Sequence, residues 1–321
     1  MKKRLLSGIQ ASGQLHLGNY FGAMKQFVEM QNEYDSYIMI ADYHALNTTQ
    51  NKEEMENNIK DVILNYLAIG LDPKKVAIFK QSDISEHTEL TWIFDTITTM
   101  PYLMRAHAFK DAEAKDKEIS VGTFNYPMLM ASDILLYNAD IVPVGKDQKQ
   151  HVEYTRDTAQ KFNNIFGKTF KLPEVRMVKG LATIPGTDGR KMSKSYKNTI
   201  PLLGTDKEIK KAVMRIVTDS KSESDPKDPE SCNIFALHKL FLNKKDLNNL
   251  KDKYQKGNIS YKESKEILLK EILDLVKPMR KRRDKITNRE IKRILKKGAK
   301  KAKKEANKKM IEVKSKIGVL V

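Results

Sequence analysis

The chain has 321 residues, a length that predicts two domains and allows a full hydrophobic core without disulfides or a structural metal. Hydrophobic residues make up 40% and charged residues 31% of it, and no apolar run reaches the roughly 20 residues of a membrane helix, so a membrane-spanning protein is excluded. The single cysteine, Cys232, excludes an internal disulfide and a cysteine-based zinc cluster. It favours a reducing, cytoplasmic setting, and the basic N-terminus lacks the apolar segment of a signal peptide.

The positive charge is concentrated at the C-terminal end. The formal net charge is +18, and the segment Lys277–Val321 alone carries 19 Lys and Arg against four Asp and Glu. A basic surface attracts phosphate backbones, so nucleic acid is a candidate partner. A biased genome composition is the alternative explanation, because Lys outnumbers Arg by 48 to 11.

The first half of the chain alternates strand-like and helix-like segments. Short apolar runs bounded by Gly, Asp or Pro predict four buried strands, at 3–7, 37–42, 76–81 and 141–145. Apolar residues at helical spacing predict helices between the first three of them, at 19–31 and 55–69. This alternation predicts an α/β fold with a Rossmann-type, doubly wound parallel sheet.

The remainder of the pattern is helical. We expect a helical insertion at about 83–136, a further helix at 148–166 and a turn-rich loop at 183–198. From residue 205 onward the pattern is almost wholly helical, with interruptions at the polar loop 219–231 and at Pro278. The predicted organisation is a sheet domain over 1–200 followed by an all-α domain over 201–321.

A Gly-rich turn follows the first strand and opens a helix. Small residues at Gly8, Ser12, Gly13 and Gly18 allow a ligand to approach the backbone. The helix that starts near His16 directs free N–H groups and a partial positive charge outward, which suits a phosphate. The glycine spacing is not that of the dinucleotide fingerprint, and an ordinary tight connection is the alternative.

A second motif, Lys191-Met192-Ser193-Lys194-Ser195, follows a flexible Gly-containing loop. Two lysines three residues apart on a mobile loop can clamp a pyrophosphate leaving group. A solvated surface segment is the alternative interpretation of this motif taken alone.

Together the two motifs resemble the His-Ile-Gly-His and Lys-Met-Ser-Lys-Ser signatures of class I aminoacyl-tRNA synthetases. The second signature matches in full. The first is present as His16-Leu17-Gly18-Asn19, with Asn in place of the second His, a form typical of the tyrosine and tryptophan subgroup.

A third segment, at 130–151, resembles the bacterial type of the tryptophanyl-tRNA synthetase family, and the resemblance runs from Leu6 to about Tyr254. The element Gly145-Lys146-Asp147-Gln148 is shared with the tyrosine enzymes. The Asp-Ile-Leu-Leu-Tyr run before it and the Lys-Gln-His run after it point to the tryptophan enzymes.

The resemblance implies a role for each matching residue. Asp133 would accept the indole N–H of tryptophan, since an indole is a bulky apolar plate with a single donor and needs one acceptor in an apolar pocket. The other residues implied for tryptophan are the apolar Leu6, Met130, Val142 and Val144 and, for the amino-acid head group, Tyr126 and Gln148. Those implied for ATP are Gln10, Ala11, Ser12, Gly18, Asn19, Gly145, Lys146, Asp147, Ile184, Lys191, Met192, Ser193, Lys194 and Ser195. The implied catalytic residues are His16, Lys191 and Lys194.

Several ionisable side chains also allow a structural interpretation. Asp133 could cap a helix or form a buried ion pair, and His44 and His151 are interpreted as structural histidines outside the site. At the start of a predicted helix, three residues are interpreted as caps rather than metal ligands: Asp83, Glu86 and His87. We therefore predict no protein-bound metal.

The implied reaction is the ATP-dependent ligation of L-tryptophan to tRNA(Trp) through tryptophanyl-adenylate, with release of pyrophosphate and AMP. A carboxylate is already a nucleophile, so positioning and charge stabilisation suffice without a Ser–His or Cys–His pair. Mg²⁺ would arrive with ATP, and no prosthetic group is expected. The resemblance also implies that residues 1–200 are catalytic, that residues 201–321 bind the tRNA anticodon, and that the protein is a cytoplasmic homodimer with no membrane partner.

Three alternatives stay open. A tyrosine-activating relative needs partners for a phenol hydroxyl, for which Tyr37 in an apolar strand is a poor candidate. An enzyme that adenylates a small metabolite has no need of a basic helical domain. A catalytically silent RNA-binding module has no need of His16, Lys191 and Lys194.

Overall fold

The structure is a computed structural model, and it describes residues 2–106, 109–110, 113, 118–145, 149–177 and 184–320. Its centre is a parallel sheet of five strands in the order β3-β2-β1-β4-β5. The strands are β1 (Arg4–Gln10), β2 (Asp35–Ala41), β3 (Ala77–Lys80), β4 (Ile141–Val144) and β5 (Glu174–Met177). The order turns back at β1, with β2 on one side and β4 on the other, which confirms the doubly wound α/β fold.

Four of these strands agree with the sequence prediction, and β5 does not appear in it. This strand is at the edge of the sheet, where Glu174 and Arg176 are exposed and Val175 is half-buried. A short edge strand with charged residues lacks the continuous apolar run that marks the buried strands.

Helices connect the strands and cover the sheet. The described helices of the first half are α1 (Leu17–Asn19), a π-helical turn (Tyr20–Met24), α2 (Lys25–Met30), α3 (Asp42–Ala45), α4 (Lys52–Ala68), α5 (Glu86–Ile97), α6 (Met100–Leu103), α7 (Val121–Leu135) and α8 (Lys149–Phe166). The described part of the predicted insertion at 83–136 consists of α5, α6 and α7 with their connections. None of the described helices is long and apolar enough to cross a membrane.

The C-terminal part is helical, as predicted. Its helices are α9 (Asp206–Met214), α10 (Asn233–His238), α11 (Lys244–Lys256), α12 (Tyr261–Arg283) and α13 (Asn288–Ile317). Residues of α9, α10 and α12 share one hydrophobic cluster with β1 and β2. The division into 1–200 and 201–321 therefore stays a prediction, because packing does not separate the two parts.

The expected interruption at Pro278 is wrong, because α12 continues through this residue. A proline inside a helix removes one N–H donor and costs about 3 kcal/mol. The helix buries an apolar stripe formed by Leu268, Ile272, Val276 and Met279. Burial of each such side chain contributes about 1.5–3 kcal/mol, so the stripe outweighs the lost hydrogen bond.

The last helix, α13, folds back onto the edge strand β3. Small residues at Gly298, Ala302 and Ala306 lie four apart and are buried on the same side of the helix. The approach is closest at Gly298, where a Cβ atom would lie 1.8 Å from the backbone oxygen of Ile78. This contact leaves no room for a side chain, so glycine is required there.

We expect Gly298→Ala to lower the free energy of unfolding by about 1–3 kcal/mol, because overpacking outweighs the helix propensity gained. Equilibrium urea unfolding measures the change. The exposed neighbour Lys297 provides the control, and Lys297→Ala should stay within about 0.5 kcal/mol of wild type. A Gly298→Ala protein as stable as wild type would contradict the close packing of α13 on β3.

Candidate active site

A cavity of about 970 Å³ opens at the carboxyl ends of β1, β2 and β4. It lies where the strand order reverses, which is the usual position of a ligand site in an open parallel sheet. Most of the residues proposed for tryptophan and ATP line it: Leu6, Gln10, Ser12, His16, Gly18, Asn19, Tyr126, Met130, Asp133, Val142, Val144, Gly145, Ile184, Lys191, Met192, Ser193, Lys194 and Ser195.

Four proposed residues are not in this lining. Ala11 is fully buried in the hydrophobic core. Lys146, Asp147 and Gln148 lie outside the described residues. Their proposed roles stay predictions.

The first signature is held by backbone pairing with the segment that follows the second. The N–H of Leu17 donates to the carbonyl of Ile200 at 2.9 Å, and the N–H of Leu202 donates to the carbonyl of Leu15 at 2.9 Å. Asn19 Oδ1 accepts from the N–H of His16 at 3.1 Å, which satisfies a donor at the start of the helix. The two signatures are thereby fixed next to each other.

His16 is buried against Gly18. A Cβ atom on Gly18 would lie 2.9 Å from His16 Nδ1, so the imidazole occupies the space that the glycine leaves. Burial, together with the positive charge of Lys194, lowers the pKa of His16 to about 4. The imidazole is neutral at pH 7, and it can offer a ligand one N–H rather than a charge.

A single buried residue, Asn198, holds the second signature. Its Oδ1 accepts from the N–H of Ser193 at 2.8 Å, and its Nδ2 donates to the carbonyl of Lys191 at 3.0 Å and to Asp188 Oδ1 at 2.7 Å. The Met192 side chain is buried beneath the first signature, where its sulfur accepts from the N–H of Gly18 at 3.3 Å. These contacts fix the backbone that carries both lysines.

Lys194 links the second signature to the Gly-rich turn that precedes the first. Its Nζ donates to the carbonyls of Ser12 at 2.8 Å and Gly13 at 2.7 Å. Burial lowers the pKa of Lys194 to about 8, so the ammonium is still mostly charged at pH 7. Lys191 lines the same cavity and is exposed. The positive charge is therefore at one end of the cavity.

The other end of the cavity contains a buried carboxylate. Asp133 is 2% exposed. Its Oδ2 accepts from His44 Nε2 at 2.8 Å, and its Oδ1 accepts from Gln81 Nε2 at 2.8 Å. His87 Nδ1 lies 2.6 Å from Oδ1. Burial alone would raise the pKa of Asp133, but His87 and His44 outweigh it and lower the pKa to about 2.

Comparisons with known proteins agree with this geometry. A profile of the family described as "tRNA synthetases class I (W and Y)" matches residues 1–277. The chain belongs to this family. It is 48% identical to the tryptophan–tRNA ligase of Fusobacterium nucleatum, over 99% of this chain and 98% of that protein. It is 45% identical to the same ligase of Rhodopirellula baltica, over 94% of this chain and 95% of that protein.

The fold agrees equally well with a solved structure. The tryptophanyl-tRNA synthetase of Campylobacter jejuni, complexed with ADP and tryptophan, aligns with a TM-score of 0.90 at 45% identity. The alignment covers 98% of this chain and 99% of that one. The family and fold predicted from the sequence are confirmed.

The structure corrects the interpretation of His44. It is buried, as expected of a core histidine, but it also lines the cavity and binds Asp133. His44 follows β2 by only three residues. Because the carboxyl ends of parallel strands share one edge of the sheet, this position could have identified it.

The capping interpretation at the start of α5 is also wrong. The helix begins after Ser85 without a side-chain cap. Asp83 instead pairs with Lys80 at 2.9 Å. Glu86 pairs with Lys303 of α13 at 2.8 Å. The third residue, His87, points to the buried carboxylate. No signal in a single sequence marks this pairing, because it depends on tertiary contacts. Sequence reasoning also misses the role of Asn198, although its partners lie within ten residues, because this role depends on the conformation of the loop.

We expect Lys194 to titrate near pH 8 in the folded protein, because burial disfavours its charged form. Competitive labelling with acetic anhydride between pH 6 and 11, followed by mass spectrometry of the Lys194 peptide, gives the midpoint. In urea the same lysine should titrate at the ordinary value of about 10.4. Equal midpoints in the folded and unfolded chains would contradict the burial of this ammonium group.

Proposed function

We propose that this synthetase ligates L-tryptophan to tRNA(Trp) through tryptophanyl-adenylate. The observation that carries the proposal is the arrangement of the cavity. One end is apolar with a single buried carboxylate, Asp133, and the other end carries His16, Lys191 and Lys194. The two ends match the side chain of tryptophan and the phosphates of ATP.

The apolar end favours an indole. Leu6, Met130, Val142 and Val144 line the cavity around Asp133. Phenylalanine has no donor for the buried carboxylate, and the unpaired acceptor would cost about 1–3 kcal/mol of binding free energy. Its smaller ring would also leave the pocket underfilled. The tyrosine alternative loses support, because Tyr37 is not part of the cavity lining. Its ring instead stacks on Tyr137 with centroids 5.2 Å apart.

The phosphate end favours charge stabilisation. The start of the helix at Leu17, the N–H of the neutral His16 and the ammonium groups of Lys191 and Lys194 all lie around one part of the cavity. Lys194 would exchange its bonds to Ser12 and Gly13 for phosphate oxygens. The Campylobacter jejuni relative binds ADP and tryptophan, which supports placing ATP and tryptophan here.

The reaction has two balanced steps. The tryptophan carboxylate attacks the α-phosphorus of ATP, and the bond to the β-phosphate oxygen breaks to release pyrophosphate. A terminal ribose hydroxyl of the tRNA then attacks the acyl carbon, loses its proton, and releases AMP. Mg²⁺ bound to the phosphates would neutralise part of their charge. Among the described residues, no cluster of three or more His, Cys, Asp or Glu could hold a metal ion.

The C-terminal helices would bind tRNA, and the insertion would form a dimer interface. We assign tRNA anticodon binding to the basic helices of residues 201–321, and a cytoplasmic location follows from a role in translation. We also propose a homodimer. It is supported by apolar side chains that are exposed in or directly after α5, α6 and α7 of the insertion: Trp92, Met100, Met104 and Val121. Exposed apolar groups of this kind are typical of interaction surfaces.

We expect ATP–pyrophosphate exchange with tryptophan and with none of the other nineteen amino acids. Asp133→Asn should lower kcat/KM for tryptophan by about 10- to 100-fold, because a hydrogen bond to a charged group contributes about 1.5–3 kcal/mol. Asp133→Ala should lose exchange, and the wild type should charge tRNA(Trp).

The control is Asp140→Asn, at the amino end of β4 and away from the cavity. This variant should retain the kcat/KM of wild type. Exchange with tyrosine instead of tryptophan would contradict the assignment of Asp133 as the acceptor for the indole N–H and would favour the tyrosine-activating alternative. Exchange without tRNA charging would favour an enzyme that adenylates a metabolite, and no exchange at all would favour an RNA-binding module.

We expect the native protein to have twice the chain mass of 36.9 kDa and Trp92→Glu to shift it toward the monomer. The reason is that Trp92 is 71% exposed on α5, and a charge there would be buried in the interface. Light scattering after gel filtration measures the mass. Ile311→Glu, on the exposed face of α13, is the matched control and should stay dimeric. A monomeric wild type would refute the proposed homodimer.

A further inference from the structure

The carboxylate of Asp133 is held from behind by residues that the ligand cavity does not reach. Gln81 and His87 are fully buried, and neither lines the cavity. Both lie against the same oxygen, Oδ1, whereas Oδ2 contacts His44, which does line the cavity. The two oxygens of one carboxylate therefore have different environments.

Gln81 has a fixed orientation. Its Oε1 accepts from the backbone N–H groups of Tyr43 at 3.1 Å and His44 at 3.3 Å. Its amide nitrogen must then face Asp133, to which it donates at 2.8 Å. Gln81 thus supplies one permanent donor to Oδ1.

His87 is fixed from its other side. Its Nε2 lies 2.8 Å from the hydroxyl of Tyr137, a residue that is itself fully buried. Because Nδ1 lies 2.6 Å from a carboxylate oxygen, a proton belongs on Nδ1, while Nε2 lies against the tyrosine hydroxyl. Tyr137, His87 and Asp133 form a chain that ends at the cavity.

An ionised carboxylate offers about four acceptor positions. Gln81 donates to Oδ1, His87 Nδ1 lies 2.6 Å from the same oxygen, and His44 occupies one position of Oδ2. Among the residues that the structure describes, His44 is the one donor to Oδ2, so one position on this oxygen is left for a ligand. A ring with one N–H satisfies it, whereas a ring without a donor leaves it unpaired.

We propose that His87 is a positioning residue for amino-acid specificity: it occupies Oδ1 of Asp133 so that the carboxylate presents a single acceptor to the side chain of the substrate. This inference rests on the proposed activation of tryptophan. It adds the reason why the pocket selects a side chain with one N–H donor over a side chain with none. His87 does not touch the substrate and acts only through Asp133.

The test compares tryptophan with 3-benzothienyl-L-alanine, in which sulfur replaces the indole N–H. The measured quantity is the ratio of kcat/KM for the two compounds in ATP–pyrophosphate exchange. His87→Leu frees Oδ1, lets the carboxylate reorient, and should lower this ratio by about tenfold, the effect of one hydrogen bond to a charged group. A loss of folded enzyme lowers both values equally and does not change the ratio.

Two matched variants sharpen the test. His87→Asn keeps an N–H donor near Asp133 and should restore most of the ratio. Phe94→Leu changes another buried residue of α5, one that packs on Phe162 and Phe170, and should leave the ratio unchanged.

An unchanged ratio in His87→Leu, with normal exchange of tryptophan by wild type, would overturn this inference and leave the proposed function intact. An equal fall in Phe94→Leu would overturn it as well. If His87→Leu does not fold, Tyr137→Phe is the deciding variant. Loss of the tyrosine hydroxyl should lower the ratio by a smaller factor, and an unchanged ratio would refute the proposed role of His87. A wild type that does not exchange tryptophan would refute both proposals.

Discussion

The backbone pairing between Leu15–Leu17 and Ile200–Leu202 is the contact on which the site depends. The two signatures lie far apart in the chain. Pairing brings the start of the first helix within reach of Lys194, whose ammonium group bonds to the turn at Ser12 and Gly13. A few strong contacts are enough to hold the two distant segments together, because the entropic cost of closing the loop between them grows only slowly with its length. The buried hydrophobic cluster beneath, which includes Met192, Ile200 and Leu202, supplies the remaining stability.

The opposite end of the cavity depends on a buried charge that three side chains contact. An isolated carboxylate at the position of Asp133 would take up a proton rather than stay charged, because the interior solvates charge poorly. His44, Gln81 and His87 reverse that preference, so the group stays ionised at neutral pH. An ionised carboxylate accepts hydrogen bonds only, which suits a ligand that donates. The same partners make the site sensitive to substitution, since removal of any one leaves another polar group buried without its bond.

The sequence predicts the parts of this molecule that depend on local pattern. Buried strands, amphipathic helices and the two signatures are all contiguous, and each is recognisable from adjacent residues. The errors arise where tertiary contacts decide. The strand at Glu174–Met177 is set by pairing with β4, Pro278 stays helical because the apolar stripe around it is buried, and His44 and His87 converge on Asp133 from segments that the sequence places apart. One sequence contains no signal for such convergence beyond the rule that strand ends share an edge.

The last helix connects these regions physically. Lys303 of α13 pairs with Glu86 at 2.8 Å and donates to Ser85 Oγ at 3.1 Å, at the start of the helix that carries His87. Ala302 and Ala306 of α13 belong to the same hydrophobic cluster as Tyr137 and Phe79. The helix assigned to the RNA-binding part therefore packs directly behind the residues that orient Asp133. A change that displaces α13 from β3 therefore also removes support from the first turn of α5, because Gly298 and Lys303 of the same helix contact these two elements.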